Sequence, residues 1–230
     1  MGAAVCDAVS GAGDLELVAR VGSRDPIEGL ADAGAEVAVD FTTPAAVKGN
    51  VRWCLDRGIH VVVGTTGLGA EDLAEIAAWT GRANAFVAPN FAIGAVLMMR
   101  FAAAAAPFFT SAEIVERHHP GKLDAPSGTA LRTAQLMNEA RAAAWLVPRA
   151  DREGATGGRG HDASGVRVHA MRVAGSVAHQ EVVLGSEGET LTIRHDSLDR
   201  ASFMPGVLLA VRKVASMPGL TVGLENALDG

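Results

Sequence analysis

Between Glu116 and Leu131 the chain reads ERHHPGKLDAPSGTAL, and the groups in it that can hold or move a proton, His118, His119 and Lys122, crowd together. An imidazole that titrates near neutrality and an ammonium beside an anion site form a donor pair suited to acid catalysis. The anion site is predicted just downstream. Ala130, Leu131, Ala134 and Met137 make one apolar helix stripe, so a helix should begin near Pro126 and Ser127. The amides of Ser127, Gly128 and Thr129 would then be unpaired donors at a positive dipole end, where a carboxylate or phosphate binds and glycine admits it to the backbone. On that feature alone, Asp124 and Ser127 acting as plain helix caps is the simpler alternative. A metal is the rival reading of the histidines. Adjacent histidines lack the i, i+4 spacing of a helical zinc pair, and no cysteine or nearby carboxylate completes a set, so no metal is expected.

These groups need elements to hold them. His118 and His119 end a strand read at Ala112–His119, where successive side chains point to opposite faces until Pro120 and Gly121 break it. Upstream, valine-rich runs predict strands at Leu15–Val21, Glu36–Thr42, His60–Thr66 and Ala83–Pro89, with helices at 1–9, 44–58 and 70–81. Continuous apolar strands are buried on both faces, which implies a parallel sheet covered by helices. Gly64, Thr65, Thr66 and Gly67, and then Ala88, Pro89, Asn90 and Phe91, fall at carboxyl ends of such strands, the ligand side of an open parallel sheet. Taken singly, either loop could be a plain turn.

After about residue 110 the pattern changes. Strands at Val166–Ala174, His179–Leu184 and Glu189–His195 alternate polar and apolar residues, and the turn 185–188 joins the last two, so an antiparallel sheet with one distinct face is predicted. Pro148–Gly165 is long and glycine-rich and is expected to be a mobile loop. The tail from Phe203 reads as a helix and a final strand. The fold class is therefore α/β: a Rossmann-type doubly wound parallel sheet with its first strand missing, plus an α+β domain with a mostly antiparallel sheet. The boundaries follow as 1–92 with 203–230 for the dinucleotide-binding domain, and 93–202 for the second.

Composition narrows the partners. Of 230 residues, 49% are hydrophobic and 20% charged, the net charge is −6, and basic residues are scattered, so neither nucleic acid nor an anionic membrane is an expected partner. Phe91–Thr110 is long and apolar, but Arg100 at its middle and Pro107 near its end make it a buried helix rather than a membrane span. Cys6 and Cys54 read as isolated core thiols in a reducing compartment, and the first twenty residues show no secretory signal, so the cytoplasm is expected.

The run HHPGKLDAPSGTA at 118–130 closely resembles the H-H-x-x-K-x-D-A-P-S-G-T-A signature of the 4-hydroxy-tetrahydrodipicolinate reductase family. VDFTTPAAVKGN, GIHVVVGTTG, APNFAIGAVL and EGETLTIRHDSLDRASFMPGVLLAVR are similar to the family's sequences too, particularly those of its actinobacterial branch. The resemblance implies an NADH- or NADPH-dependent enzyme of diaminopimelate and lysine biosynthesis. It reduces a small cyclic dicarboxylate, 4-hydroxy-tetrahydrodipicolinate, to tetrahydrodipicolinate with loss of water. It further implies cofactor contacts from Gly64, Thr65, Thr66, Ala88, Pro89, Asn90 and Phe91. His118 would be proton donor or acceptor and Lys122 proton donor, with His119, Gly128 and Thr129 binding the substrate's carboxylates. A homotetramer built through the second domain's sheet is implied as well.

The sequence departs from that pattern at its start. Family members open with a strand and a glycine-rich loop, of which only Met1 and Gly2 remain here, and a start assigned downstream of the natural one is the expected reason. Loss of a central strand should expose apolar sheet and leave ladder groups unpaired. Val21 is followed by Gly-Ser-Arg rather than by an acidic residue that would take ribose hydroxyls, so Arg20 or Arg24 could attract a 2'-phosphate or be simple solvated charges. Two competing functions are a non-catalytic dicarboxylate-binding or assembly protein of the same fold, and a metal hydrolase built on His118 and His119.

Overall fold

The structure, a computed structural model, describes residues 1–152, 154 and 158–228. The chain divides into two compact units, one of Met1–Ile93 with the segment from Arg200 onward, the other of Gly94–Asp199. The first unit runs α1 (Gly2–Ser10), α2 (Gly29–Asp32), β1 (Val37–Asp40), α3 (Pro44–Asp56), β2 (His60–Val63), α4 (Ala70–Trp79) and β3 (Ala85–Val87). The second runs α5 (Ile93–Ala105, its first residue in the first unit), β4 (Ser111–His118), α6 (Gly128–Glu139), α7 (Arg149–Arg152), β5 (His161–Ala163), β6 (Val166–Arg172), β7 (Ala178–Ser186) and β8 (Glu189–Ser197). The chain then returns to the first unit as α8 (Met204–Lys213), β9 (Leu220–Val222) and α9 (Glu225–Leu228).

Strands β1, β2, β3 and β9 form a parallel sheet in that order. Its residues explain why: Val61, Val62 and Val63 are all buried, as a strand covered on both faces requires. Pro44 opens α3 at a position with no helical N–H to lose. The helix then buries Val47, Val51, Cys54 and Leu55, one stripe at helical spacing that packs on β2. Each fully buried Val or Leu is worth about 1.5–3 kcal/mol relative to exposure.

The strand predicted at Leu15–Val21 does not form. A strand needs a neighbour to take its N–H and C=O groups. Among the described residues no strand pairs with this segment, and Val18 and Val21 stay exposed at 42% and 39%. Arg20 and Arg24 are exposed on the same stretch. Cys54 is buried as expected, and burial, with Asp40 as the next cause, pushes its thiol up to about 12. Cys6 is only partly buried, because α1 turns Val5 and Val9 inward instead.

The second unit's sheet has the order β5-β6-β4-β7-β8. Three of its pairings are antiparallel, but β4 and β6 are parallel, so the sheet is mixed. The crossover through α6 brings the chain back to the end from which β4 started, which is what a parallel pair needs. One face, with Ala112, Ile114, Val166, Val168, Val182 and Leu184, closes a core against α6 (Ala130, Ala134, Met137) and α5 (Met98, Ala102). The other face is mostly polar: Glu113, Arg117, His169, Glu181 and Arg194 alternate with the core residues along their strands, and Val115, Met171 and Val183 share that face.

The long apolar run ends at the predicted proline, α5 stopping at Ala105 before a 3-10 turn that holds Pro107, but the helix is buried on one face only, with Arg100 and Phe101 exposed. Among the described residues no helix is long and apolar enough to cross a membrane. The predicted loop Pro148–Gly165 contains α7 and β5, and its positions 153 and 155–157 lie outside the described residues.

Candidate active site

In the first unit the two loops read as ligand-facing do follow the carboxyl ends of adjacent parallel strands. The Gly64 amide donates to the Asp40 carbonyl at 2.9 Å, and the Ala88 amide to the Val63 carbonyl at 3.0 Å, so both loops leave the sheet from paired backbone. Asp40 then organises the first loop. Its buried carboxylate accepts from the Thr42 amide (2.9 Å), the Thr42 hydroxyl (2.7 Å), Asn50 Nδ2 (2.8 Å) and the Thr65 hydroxyl (3.0 Å). Thr65 is thereby anchored inward while Thr66 next to it is exposed. Gly64 is glycine for a steric reason: an added Cβ would lie 2.0 Å from Cε1 of Phe41. The Phe41 ring packs in turn on Phe91, 5.7 Å between centroids, which ties the two loops together from beneath. Asn90 Oδ1 accepts the Ala92 amide at 2.9 Å and shapes the second loop, in which Ala88 and Phe91 are buried.

In the second unit, alternation along β4 places Ala112, Ile114, Glu116 and His118 on the face that α6 covers. Glu116 is fully buried there and is the residue that the sequence reading overlooked. Its Oε2 takes His118 Nδ1 at 2.6 Å and Arg172 Nη1 at 2.8 Å; its Oε1 takes Arg172 Nη2 at 2.9 Å and the Ser127 amide at 3.0 Å. A carboxylate is therefore present near His118, held by a bidentate guanidinium. Among the described residues no group of three or more His, Cys, Asp or Glu could hold a metal ion.

Helix α6 begins where the apolar stripe predicts, with Ser127 as its N-cap accepting the Ala130 amide at 3.2 Å. The expected donors are not left unpaired: the buried Glu116 carboxylate takes the Ser127 amide, and Asp124 draws on the Gly128 amide, so Asp124 acts here partly as the helix cap that the sequence offered as the simpler alternative. Gly128 and Thr129 form the first turn, and a Cβ built on Gly128 would meet nothing within 4 Å. Lys122 Nζ lies 2.7 Å from Asp124 Oδ1, and the Lys122 amide closes a turn onto the His119 carbonyl at 3.2 Å. His119 is exposed, its Nδ1 3.3 Å from where a Cβ on Gly121 would stand.

Electrostatics follows from these contacts. Burial pushes the Glu116 carboxyl up, but Arg172, His118 and the Ser127 amide together hold it below its ordinary value. For His118, burial dominates and pushes it down, Glu116 pushes it up, and Lys122 and Arg172 push it down again, leaving it below the usual imidazole value. His195 on β8 is depressed as well, by burial first. Glu113 on the outer face follows Glu116: burial raises it, but Arg159 and His169 hold it low.

All four folded groups bind protons less readily than their unfolded counterparts, so the unfolded state gains protons first as pH falls. Melting temperature is therefore expected to decline on acidification, beginning near pH 6.5 with the two histidines and steepening below about pH 4.5 with the two glutamates. Differential scanning fluorimetry across that range checks it. A melting temperature that stayed level between about pH 8 and pH 4 would contradict these assignments.

A parallel sheet with loops at its strand ends, and a second unit that buries an imidazole–carboxylate pair beside a helix start, define a Rossmann-type α/β protein with a separate second unit. The family description "Dihydrodipicolinate reductase, N-terminus" matches residues 1–91, and "Dihydrodipicolinate reductase, C-terminus" matches residues 94–228. The chain belongs to the dihydrodipicolinate reductase family.

A protein of Corynebacterium aurimucosum named 4-hydroxy-tetrahydrodipicolinate reductase is 56% identical over 99% of this chain and 94% of its own length. One of the same name from Streptomyces avermitilis is 55% identical over 100% of this chain and 94% of its own length. The dipicolinate-bound dihydrodipicolinate reductase of Paenisporosarcina sp. TG-14 superposes with a TM-score of 0.86 at 36% identity, covering 98% of this chain and 94% of that one. These relatives support the enzymatic reading over a non-catalytic protein of the same fold.

Proposed function

We propose that the protein reduces 4-hydroxy-tetrahydrodipicolinate to tetrahydrodipicolinate, with loss of water and oxidation of NADH or NADPH, in the diaminopimelate and lysine pathway. One observation carries the reading from family to chemistry. His118 and Lys122 stand beside the start of α6: His118 shares the Glu116 carboxylate with the Ser127 amide, and Lys122 pairs with Asp124, which also draws on the Gly128 amide. A dicarboxylate meets there the positive helix end with Gly128 and Thr129, the exposed His119 ring as a hydrogen-bond partner, and two groups able to carry protons. His118 exchanges a proton with the ring system, and Lys122 donates one.

The bound nicotinamide supplies hydride. Gly64, Thr65 and Thr66, with Ala88, Pro89, Asn90 and Phe91, are the residues that would hold it. Backbone at the carboxyl ends of parallel strands, the Thr65 hydroxyl, which gives its proton to Asp40 and is left as an acceptor, and an exposed hydroxyl at Thr66 form a set of donors and acceptors that suits an amide-bearing ring. In this reading residues 1–92 with 203–230 bind the cofactor and 93–202 bind the substrate. The mostly polar outer face of β4, β6, β7 and β8 joins protomers into a homotetramer in the cytoplasm, and that state is read by native mass spectrometry. No nucleic acid or membrane partner is involved.

A coupled assay tests the activity: pyruvate and aspartate semialdehyde are condensed by a synthase, and NADH or NADPH oxidation by the chain is followed. Turnover is expected, and the faster cofactor decides whether Arg20 and Arg24 serve a 2'-phosphate. Binding of dipicolinate without turnover on either cofactor would overturn the reading in favour of a dicarboxylate-binding protein.

A further inference from the structure

The buried pair at the end of β4 does more than neutralise a charge. We infer that Glu116 is the positioning residue of the acid–base centre: its carboxylate holds the neutral His118 ring with its proton on Nδ1 and pins the start of α6 to the same anchor. The inference deepens the role given to His118 above and rests on it. Of the groups around His118, Glu116 on its own strand is the anion, Arg172 reaches in from β6, Lys122 with its partner Asp124 comes from the following turn, and the β7 residue opposite is the apolar Ala178. Only Glu116 can accept from Nδ1 at 2.6 Å, so the neutral ring is left with its lone pair on Nε2. The same carboxylate fixes the Ser127 amide at 3.0 Å and both terminal nitrogens of Arg172, so one buried group sets the imidazole and the anion-binding helix end in register.

This arrangement gives Glu116→Gln an unusual consequence. Every site around the carboxylate is a donor, so an amide nitrogen at the Oε1 position would face the Ser127 N–H, which cannot accept. At the Oε2 position the amide nitrogen is satisfied only if His118 Nδ1 becomes the acceptor. The proton then moves to Nε2. The substitution should therefore swap the ring tautomer as well as weaken the site, an effect that lost packing would not produce.

The experiment is 15N spectroscopy of the histidine rings, with His118 assigned by its disappearance in His118→Gln, combined with kinetics of Glu116→Gln in both backgrounds. In the unmodified protein the neutral His118 ring should carry its proton on Nδ1, a measurement that does not need Glu116→Gln to fold. In Glu116→Gln the proton should sit on Nε2, the pH at which His118 titrates should fall further, and kcat should drop about 100-fold or more. On top of His118→Gln the same change should add little further loss of kcat, because the proton-transfer effect passes through one ring. A neutral ring protonated on Nε2 in the unmodified protein would overturn the proposal, as would an equal kinetic loss in both backgrounds. Full activity of His118→Gln would instead overturn the role of His118, while the ring spectrum still decides whether Glu116 sets the tautomer.

Discussion

Lys122→Ala is expected to lower kcat by about 100- to 10,000-fold while leaving the fold nearly as stable as before. The two halves of that expectation have separate physical grounds. Lys122 contributes one ion pair, to an Asp124 whose side chain is 56% exposed, and such surface pairs are worth about 0–1 kcal/mol. A chain of this size then loses no more than about 2–4 °C in melting temperature. Its ammonium, by contrast, is the proton donor proposed for the reaction. Lys122→Arg separates charge from proton transfer. A guanidinium keeps the positive field beside the dicarboxylate but does not give up a proton at neutral pH, so KM should be held while kcat stays low. Steady-state kinetics with melting curves measure both halves. Turnover of Lys122→Ala close to that of the unmodified protein would remove this residue from the mechanism.

Much of this site is visible in the chain's own pattern, and the parts that are not share one cause. The β2 valines announce a strand buried on both faces, and the Ala130, Ala134, Met137 stripe places the start of α6 correctly, because both signals are local and periodic. Glu116 was legible too. It stands two residues before His118, and period-two alternation alone puts the pair on one face of β4. Arg172 was not, since it meets Glu116 only through the parallel register of β4 with β6, in which His118 lies opposite Arg172. Leu15–Val21 fails for the same reason in reverse. Its composition suits a strand, but a strand exists only where another offers a ladder, and none of the described strands lies beside it. Tertiary partners decide both cases.

The same dependence on partners makes one small substitution costly and its twin beneficial. Gly206 lies in the first turn of α8, buried against the loop that ends in Phe91; an alanine Cβ there would come 2.0 Å from the Phe91 carbonyl oxygen and 2.9 Å from Leu224 Cδ2. Backbone cannot step aside as a flexible side chain can. Alanine gains about 1 kcal/mol in helix propensity, whereas forcing atoms into a packed core costs about 1–3 kcal/mol and occasionally more, so the clash should win. Gly206→Ala is expected to lower the melting temperature by several degrees and, by displacing Phe91 from its contacts with Phe41 and Phe86, to weaken NADH and NADPH binding. Dipicolinate binding, proposed for residues of the other unit, should be spared. Gly49 sits in the middle of α3 with nothing within 4 Å of an added Cβ, so Gly49→Ala should stabilise the protein by about 0.5–1 kcal/mol. Calorimetry of the two variants, with cofactor titrations, compares them directly. Equal effects of the same sign would mean that helix propensity, and not the approach of α8 to Phe91, governs position 206.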